Sequence, residues 1–157
     1  MTGFRSGVRL GVDVGSARVG VARCDRDGLL AVPVETVPRD DASVRRVSAL
    51  AEEYEAMEVL VGLPVSLSGN ETASTADARM FAAHLAAASD RPIRLVDERL
   101  STVSAHAALR ASGRSQRSSR KMVDQVAAVV LLQQAIDVEK STGTPAGELL
   151  NPVQEPS

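Results

Sequence analysis

The order of strand-like and helix-like apolar patterns restricts the fold of this chain most strongly. Residues 8–14, "VRLGVDV", place apolar side chains at every second position, which is the period of a β-strand. Two further apolar runs, "VGVARCD" and "LLAVPVETV", follow after short turns. Strands joined by short turns predict an antiparallel meander. Pro33 in the third run favours an edge position, because proline cannot donate a hydrogen bond to a neighbouring strand.

Beyond residue 42 the apolar pattern alternates between the helical and the strand period. Two helical runs are each followed by a short apolar run that reads as a buried strand, and further helical runs complete the chain. The predicted helices cover 43–57, 72–88, 103–111 and 121–139, and the predicted strands cover 58–64 and 93–98. This order indicates an α/β fold with a five-stranded mixed sheet, in which the antiparallel meander adjoins parallel strands and helices cover the faces.

Chain length restricts the domain organisation. A chain of 157 residues suffices for one domain with a sizeable core and is too short for two ordinary domains. We therefore expect a single domain over residues 1–140. Residues 141–157, "STGTPAGELLNPVQEPS", contain turn formers and no apolar periodicity, so they are expected to form a flexible C-terminal tail.

Composition excludes several classes of function. The chain has 18 Lys and Arg residues against 20 Asp and Glu residues, so a polyanion has to bind a local basic patch. Aromatic residues make up only 2% of the chain, which argues against a surface that stacks single-stranded bases. Cys24 is the only cysteine and cannot form an internal disulfide. Because the sequence shows neither a secretory signal nor a membrane-length apolar run, we expect a cytoplasmic protein that does not bind membranes.

Three acidic residues lie at the ends of predicted elements. Asp13 is near the end of the first strand, Glu98 ends the strand "IRLVDE", and Asp124 lies in the first turns of the last helix. Any one of them alone would usually be a cap, a turn former or half of an ion pair. Asp124 fits such a surface role least, because the apolar run "AAVVLL" follows it and leaves that helix little solvent-facing surface.

Carboxylates that converge repel one another unless a divalent cation compensates their charge. Oxygen ligands favour Mg²⁺ or Mn²⁺, and the chain has no cluster of Cys and His that would favour zinc. Two such ions about 4 Å apart can activate a water molecule and stabilise the leaving oxygen of a phosphodiester. Gly11 and Gly15, which flank Asp13, are expected to leave room for metal, water and phosphate. The pattern predicts metal-dependent hydrolysis of phosphodiester bonds.

A basic segment precedes Asp124. Residues 110–121, "RASGRSQRSSRK", contain five cations and no acid, namely Arg110, Arg114, Arg117, Arg120 and Lys121. Beside a carboxylate cluster, these cations would hold the phosphates of a nucleic acid that the acids repel. Arg18 and Arg99 would contribute in the same way. The alternatives are a solvated loop for the segment and ordinary ion pairs for Arg18 and Arg99.

Four ordered segments of the chain resemble the sequence blocks of one bacterial family. The resemblance is to the YqgF-type pre-16S rRNA nucleases, also called Holliday junction resolvase-like proteins, and spans about residues 8–137. The segments are "GVDVGSARVGVA", "VGLPVSLSGNET", "LVDERLST" and "KMVDQVAAVVLLQ". The resemblance implies a ribonuclease-H-like fold and processing of the 5′ end of pre-16S rRNA. It also implies that Asp13, Glu98 and Asp124 are the catalytic acids that bind the metal.

Two features of the chain qualify that resemblance. Many relatives have Asn and Asp in the loop after "GLP", where this chain has Ser66 and Ser68, so a role of that loop in substrate or metal binding is in question. Asp97 would point to the opposite face of its strand from Glu98, which favours a structural role.

Two other functions stay open at this point. A Holliday junction resolvase that cuts branched DNA would use the same chemistry and would be favoured by a two-fold dimer over a monomer. A non-catalytic module would bind nucleic acid through the basic segment, while the acids serve as caps and ion pairs.

Overall fold

The computed structural model describes residues 4–66, 68–97 and 116–150, with the backbone alone over 116–124. The helices and strands in this part of the chain are β1 (Arg9–Val14), β2 (Arg18–Cys24), β3 (Ala31–Pro38), α1 (Ser43–Glu53), β4 (Glu58–Leu63), α2 (Ala73–Ala88), β5 (Ile93–Asp97), α3 (Gln116–Thr142) and β6 (Glu148–Leu149). The predicted helix over 103–111 lies outside the described residues.

The strands form one mixed sheet in the order β3-β2-β1-β4-β5-β6. The first three strands pair antiparallel as a meander, whereas β1 pairs parallel with β4 and β4 pairs parallel with β5. The α/β class and the mixed sheet predicted from the apolar patterns are therefore confirmed. Pro33 lies in the edge strand β3, where the pairing with β2 shifts register, so its missing N–H interrupts no central ladder.

The sheet has one strand more than the five predicted. Strand β6 pairs antiparallel with β5, and the Leu150 N–H donates to the Ile93 carbonyl at 2.7 Å. Both β6 and the last two residues of α3 belong to the segment 141–157 that was predicted to be a tail. Residues 151–157 lie outside the described part.

The two faces of the sheet carry separate cores. Helices α1 and α2 cover one face, where Leu10, Val12 and Val61 are fully buried. Helix α3 covers the other face and buries Leu132 there. Cys24 is also fully buried on that side, as expected for a packing residue. Among the described residues, no helix is long and apolar enough to cross a membrane.

Helix α1 ends four residues before the predicted boundary. Glu55 adopts a left-handed backbone conformation with φ of 52°. Its N–H donates to the Glu52 carbonyl at 3.1 Å, and the Ala56 N–H donates to the Ala51 carbonyl at 2.9 Å. These two bonds define a Schellman motif, which usually has glycine at the left-handed position. At the start of α2, Thr72 and Thr75 form the reciprocal bonds of a capping box, so this boundary agrees with the prediction.

A group of buried and partly buried charges joins the C-terminal part of α3 to the start of β1 and β4. We call it the basal ion network; it consists of Arg5, Arg9, Glu58, Arg94 and Glu139. Arg9 and Glu139 are only 2% and 3% exposed, and Arg9 Nη2 lies 3.3 Å from Glu139 Oε1. Because buried charges without partners are unfavourable, this pairing fixes the position of α3 along β1.

Candidate active site

Asp13 lies on the face of the sheet that α3 covers. Its neighbours Val12 and Val14 belong to the core beneath α1 and α2, so the alternation of β1 turns Asp13 the opposite way. The carboxylate is partly buried, near the end of the strand. In the antiparallel pairing, the residue opposite Asp13 is Gly20. Because opposite residues project to the same face and glycine has no side chain, no side chain from this position of β2 lies beside Asp13.

Gly11 has a different role from the one predicted. A Cβ atom at this position would lie 2.8 Å from the Leu132 Cβ and 3.0 Å from the Ala128 carbonyl oxygen. Gly11 therefore allows α3 to approach the sheet closely, and the expectation that it leaves room for metal and phosphate is wrong. The sequence alone does not show that a helix lies over this glycine.

The same contact sets the register between α3 and β1. Arg9 meets Glu139, while Gly11 meets Ala128 and Leu132, so the helix runs antiparallel to the strand. Two strand residues advance about 6.6 Å, which matches about four to five helix residues. A step from Gly11 to Asp13 thus corresponds to a step from the turn 128–132 to the turn 124–128 of the helix.

Position 124 lies one turn before Ala128 on the same side of the helix. The backbone register therefore brings this helix position to within about one turn of the level of Asp13 on β1. The side chain of Asp124 lies outside the described residues, so its contact with Asp13 stays a prediction.

Glu98 lies outside the described residues, and the described part of β5 ends at Asp97. Val96 packs into the core beneath α3, whereas Leu95 packs into the core beneath α1 and α2. Asp97 is in phase with Leu95 and thus lies on the opposite face from Val96. Because β1, β4 and β5 run parallel, Asp13 and Asp97 lie near the same edge of the sheet. The two outer strands of this trio are roughly 10 Å apart.

The three predicted acids are described to different extents. Only Asp13 has a described side chain, so their convergence on a metal stays a prediction. Among the described residues, no group of three or more His, Cys, Asp and Glu side chains is arranged to hold a metal ion. What the described residues give is the backbone register, in which the turn 124–128 of α3 is at the level of Asp13.

The predicted phosphate-binding cations are also described to different extents. Arg18 begins β2, and its carbonyl accepts a hydrogen bond of 2.8 Å from the Gly15 N–H, so it lies at the same sheet edge as Asp13. The backbones of Arg117, Arg120 and Lys121 lie in the N-terminal part of α3. Arg99, Arg110 and Arg114 lie outside the described residues.

Comparison with known proteins assigns the chain to a family. Residues 7–138 match the RuvX family, which is described as a Holliday junction resolvase family. The chain belongs to the RuvX family. A relative from Clavibacter michiganensis subsp. michiganensis is 58% identical over 150 residues, which cover 94% of this chain and 93% of the relative. A relative from Streptomyces coelicolor is 53% identical over 148 residues, covering 92% and 89%. Both relatives are named as pre-16S rRNA nucleases.

Solved structures extend the comparison of this RuvX-family chain to its fold. The RuvC protein of Thermus thermophilus in complex with a Holliday junction substrate aligns with a TM-score of 0.56 at 17% identity. The alignment covers 91% of this chain and 99% of RuvC. Another Thermus thermophilus RuvC structure aligns with a TM-score of 0.55 at 18% identity. The fold is therefore RuvC-like, in agreement with the ribonuclease-H-like fold that the resemblance implied.

Sequence reasoning missed one residue of this RuvX-family chain that contacts the turn after Asp13. Arg39 Nη1 donates to the Gly15 carbonyl at 2.9 Å, and both of its Nη atoms lie 2.8 Å from carboxylate oxygens of Asp77. These contacts connect the segment after β3, the turn between β1 and β2, and helix α2. Arg39 follows directly after the edge strand in "TVPRD", but no local pattern reveals a partner 38 residues away.

An open cavity of about 570 Å³ adjoins this arginine. Its lining includes Ser16 from the turn, Asp41, Phe81 and His84.

The loop after β4 is a separate feature. There the Ser66 and Ser68 hydroxyls are 2.9 Å apart, and Asn70 Nδ2 donates to the Ser68 hydroxyl at 3.1 Å. Hydrogen bonds within the loop thus engage both serines.

Proposed function

We propose that this RuvX-family chain is a divalent-metal-dependent nuclease that hydrolyses phosphodiester bonds during processing of the 5′ end of pre-16S rRNA in the cytoplasm. Asp13, Glu98 and Asp124 are the proposed metal-binding catalytic acids, and Mg²⁺ or Mn²⁺ is the proposed cofactor. The observation that carries the proposal is the register between α3 and β1, which brings the helix turn 124–128 to the level of Asp13.

The donor chemistry around Asp13 fits such a cofactor. Asp13 offers carboxylate oxygens, the ligands that Mg²⁺ and Mn²⁺ prefer, and Gly20, which is paired with it on β2, has no side chain that would occupy the metal position. Extended by two residues from Val96, the alternation of β5 would bring position 98 to the face that α3 covers. In the proposal, these acids hold the metal at the carboxyl edge of the parallel strands. When bound, the metal supplies activation of the attacking water and stabilisation of the leaving oxygen.

Cations around this edge are proposed to bind the phosphates of the substrate. Arg18 lies at the same edge as Asp13, and α3 begins in the basic segment 110–121. The proposed phosphate-binding residues are Arg18, Arg99, Arg110, Arg114, Arg117, Arg120 and Lys121. Their positive charge would offset the repulsion between the substrate phosphates and the carboxylates, and phosphate contacts would fix the substrate without reading its sequence.

Two substrates compete within this proposal. The names of the relatives favour precursor ribosomal RNA. The family description and the RuvC complex with a Holliday junction favour branched DNA. Because a resolvase cuts two strands symmetrically, that alternative calls for a homodimer, whereas cleavage of RNA is compatible with a monomer.

A cleavage assay with both substrates tests the proposal. Purified protein is incubated with 16S precursor RNA carrying its 5′ extension, or with a four-way DNA junction, in Mg²⁺, Mn²⁺ or EDTA. We expect cleavage of the RNA with either metal and none in EDTA. Asp13→Asn, Glu98→Gln and Asp124→Asn are each expected to lower the rate by at least about 100-fold, because each removes a charged metal ligand.

Asp90→Asn is the matched control for the aspartate variants, because the Asp90 side chain is 93% exposed on the loop before β5. A contaminating nuclease would be insensitive to the three acid substitutions, which separates it from this protein. Undiminished cleavage in EDTA would contradict the mechanism. Salt-dependent binding without turnover under any metal would favour the non-catalytic module. Junction cleavage by a dimer, with the RNA left intact, would favour the resolvase.

A further inference from the structure

Arg39 forms two hydrogen bonds to the turn between β1 and β2, one from its side chain and one from its backbone. Its side chain donates to the Gly15 carbonyl at 2.9 Å, and its backbone N–H donates to the Ala17 carbonyl at 3.0 Å. The turn, residues 15–17, is short and begins two residues after Asp13. One arginine therefore restrains both ends of the backbone segment that immediately follows the strand of Asp13.

Asp77 fixes the orientation of that arginine. The guanidinium and the carboxylate form two hydrogen bonds of 2.8 Å, the parallel geometry that makes Arg–carboxylate pairs directional. Hydrogen bonds from Arg39 lower the pKa of Asp77, so its carboxylate stays charged at neutral pH. The Arg39 guanidinium also lies 5.3 Å from the centre of the Phe81 ring, one helical turn further along α2.

Helix α2 gives this pair a fixed base. The capping box at Thr72 defines its start, and Phe81 and Leu85 are buried in the core beneath it. Asp77 lies within the same helix, between the capped start and these buried residues. A side chain held by a packed helix can thus restrain the turn, which lies at the edge of the sheet.

We propose that Arg39, oriented by Asp77, is a positioning residue of the nuclease site that fixes the turn at residues 15–17 and thereby the end of β1 that presents Asp13. This inference rests on the proposed function. Catalytic groups have to be held within about 0.5 Å of their working geometry, and a displacement of about 1 Å can lower a rate by 100-fold. A turn released from Arg39 would let Asp13 shift by a fraction of that distance.

Arg39→Gln tests the inference, with Arg46→Gln as the matched control. Arg46 also forms a two-bond pair with a carboxylate, Glu35, at 2.6 and 2.8 Å, and it joins α1 to β3. For Arg39→Gln we expect about a 10-fold fall in kcat for RNA cleavage at saturating Mn²⁺, with KM for the RNA within about twofold. Arg46→Gln should keep kcat within about twofold of the wild type.

Two further variants separate positioning from folding. Asp77→Asn leaves Arg39 in place but weakens its orientation, so kcat should fall in the same direction and by less. Arg39→Lys keeps the charge but lacks the planar guanidinium, so its kcat should lie between that of the wild type and that of Arg39→Gln. Circular dichroism of each variant checks that the fold persists. Amide hydrogen exchange at residues 15–17 should speed up in Arg39→Gln and stay unchanged in Arg46→Gln.

The outcomes distinguish the two proposals. If the wild type cleaves RNA with metal and Arg39→Gln has the same kcat as Arg46→Gln, positioning is refuted and the proposed function stands. Faster exchange at residues 15–17 with an unchanged kcat also refutes positioning, because Arg39 would then stabilise the turn alone. If the wild type fails to cleave RNA with every metal tested, the proposed function is overturned, and the positioning role with it.

Discussion

Replacing Glu139 by Gln removes one charge from the basal ion network while keeping the shape of the side chain. Glu139 accepts hydrogen bonds of 2.9 Å from Arg5 Nε and Nη2, and of 3.3 Å from Arg9 Nη2. Its exposed fraction is 3%, so water cannot replace these partners. The substitution leaves the charge of Arg9 buried with a weaker partner, and removing one member of a buried ion pair is strongly destabilising.

The pKa of Glu139 gives the magnitude of the expected loss of folding stability. Burial alone would raise it, but hydrogen bonds from Arg5 and the charges of Arg9 and Arg5 lower the pKa from 4.5 to about 2. A shift of this size corresponds to about 3 kcal/mol of folding stability at pH 7. We therefore expect Glu139→Gln to lower the free energy of unfolding at pH 7 by about 3 kcal/mol.

The sign of the pH dependence follows from the lowered pKa. A carboxylate whose folded pKa is depressed stabilises the fold fully above its unfolded pKa, and this contribution is lost as the pH falls through the folded pKa. The stability difference between wild type and Glu139→Gln should be constant above about pH 5, less than half as large at pH 3, and close to zero near pH 2.

Urea unfolding of both proteins from pH 7 down to pH 2.5 measures this difference. The comparison isolates the basal ion network, because the acids outside it titrate equally in the two proteins. Glu53→Gln is the matched control, since Glu53 is exposed near the end of α1. A difference below about 1 kcal/mol at pH 7, or one that does not shrink toward low pH, would refute the reasoning.

Three further predictions concern packing, backbone conformation and substrate binding. Gly11→Ala should lower the free energy of unfolding by about 1–3 kcal/mol in urea unfolding and also slow cleavage, because the new Cβ meets α3. Glu55→Gly should raise the melting temperature through a gain of about 1 kcal/mol at a φ of 52°, whereas Glu53→Gly inside α1 should lower it. Arg117→Gln should reduce the slope of log binding constant against log salt by about one in RNA titrations.

Each of these three predictions has a contradicting result. Wild-type stability of Gly11→Ala would mean that α3 does not lie against this glycine. If Glu55→Gly and Glu53→Gly shift the melting temperature in the same direction, the left-handed backbone at Glu55 does not cost the stability that glycine was expected to restore. An unchanged salt slope in Arg117→Gln would show that this arginine does not contact phosphate.

Local patterns predicted the strands and their exposure well. The period of two in β1 assigned Asp13 to the face opposite Val12 and Val14, and the structure confirms this placement. Pro33 indicated an edge strand, which β3 is. These features depend on neighbouring residues within one element, so the sequence carries them directly.

Long-range features escaped the same reasoning. Strand β6 has two residues, too few for any periodicity, and it exists because β5 offers an edge to pair with. The end of α1 depends on a Schellman motif in which Glu55 replaces the usual glycine. Asp77 reads as an ordinary polar position of α2 until its bond with Arg39, 38 residues away, is seen.

The candidate site also has a part that local patterns predict and a part that depends on long-range contacts. Asp13 and the register of α3 rest on described contacts, whereas the side chains of Glu98 and Asp124 lie outside the described residues. Alternation and helix spacing predict that both lie on the side of Asp13, but contacts between distant segments are not encoded in local periodicity. The convergence of the three acids is therefore the feature that most needs an experiment.

Titration of the protein with Mn²⁺, followed by electron paramagnetic resonance or calorimetry, tests that convergence most directly. We predict that the wild type binds Mn²⁺ and that Asp13→Asn, Glu98→Gln and Asp124→Asn each weaken the affinity by at least about 10-fold, while Asp90→Asn leaves it unchanged. Wild-type affinity in any one of the three acid variants, or no Mn²⁺ binding by the wild type, would contradict a shared metal site.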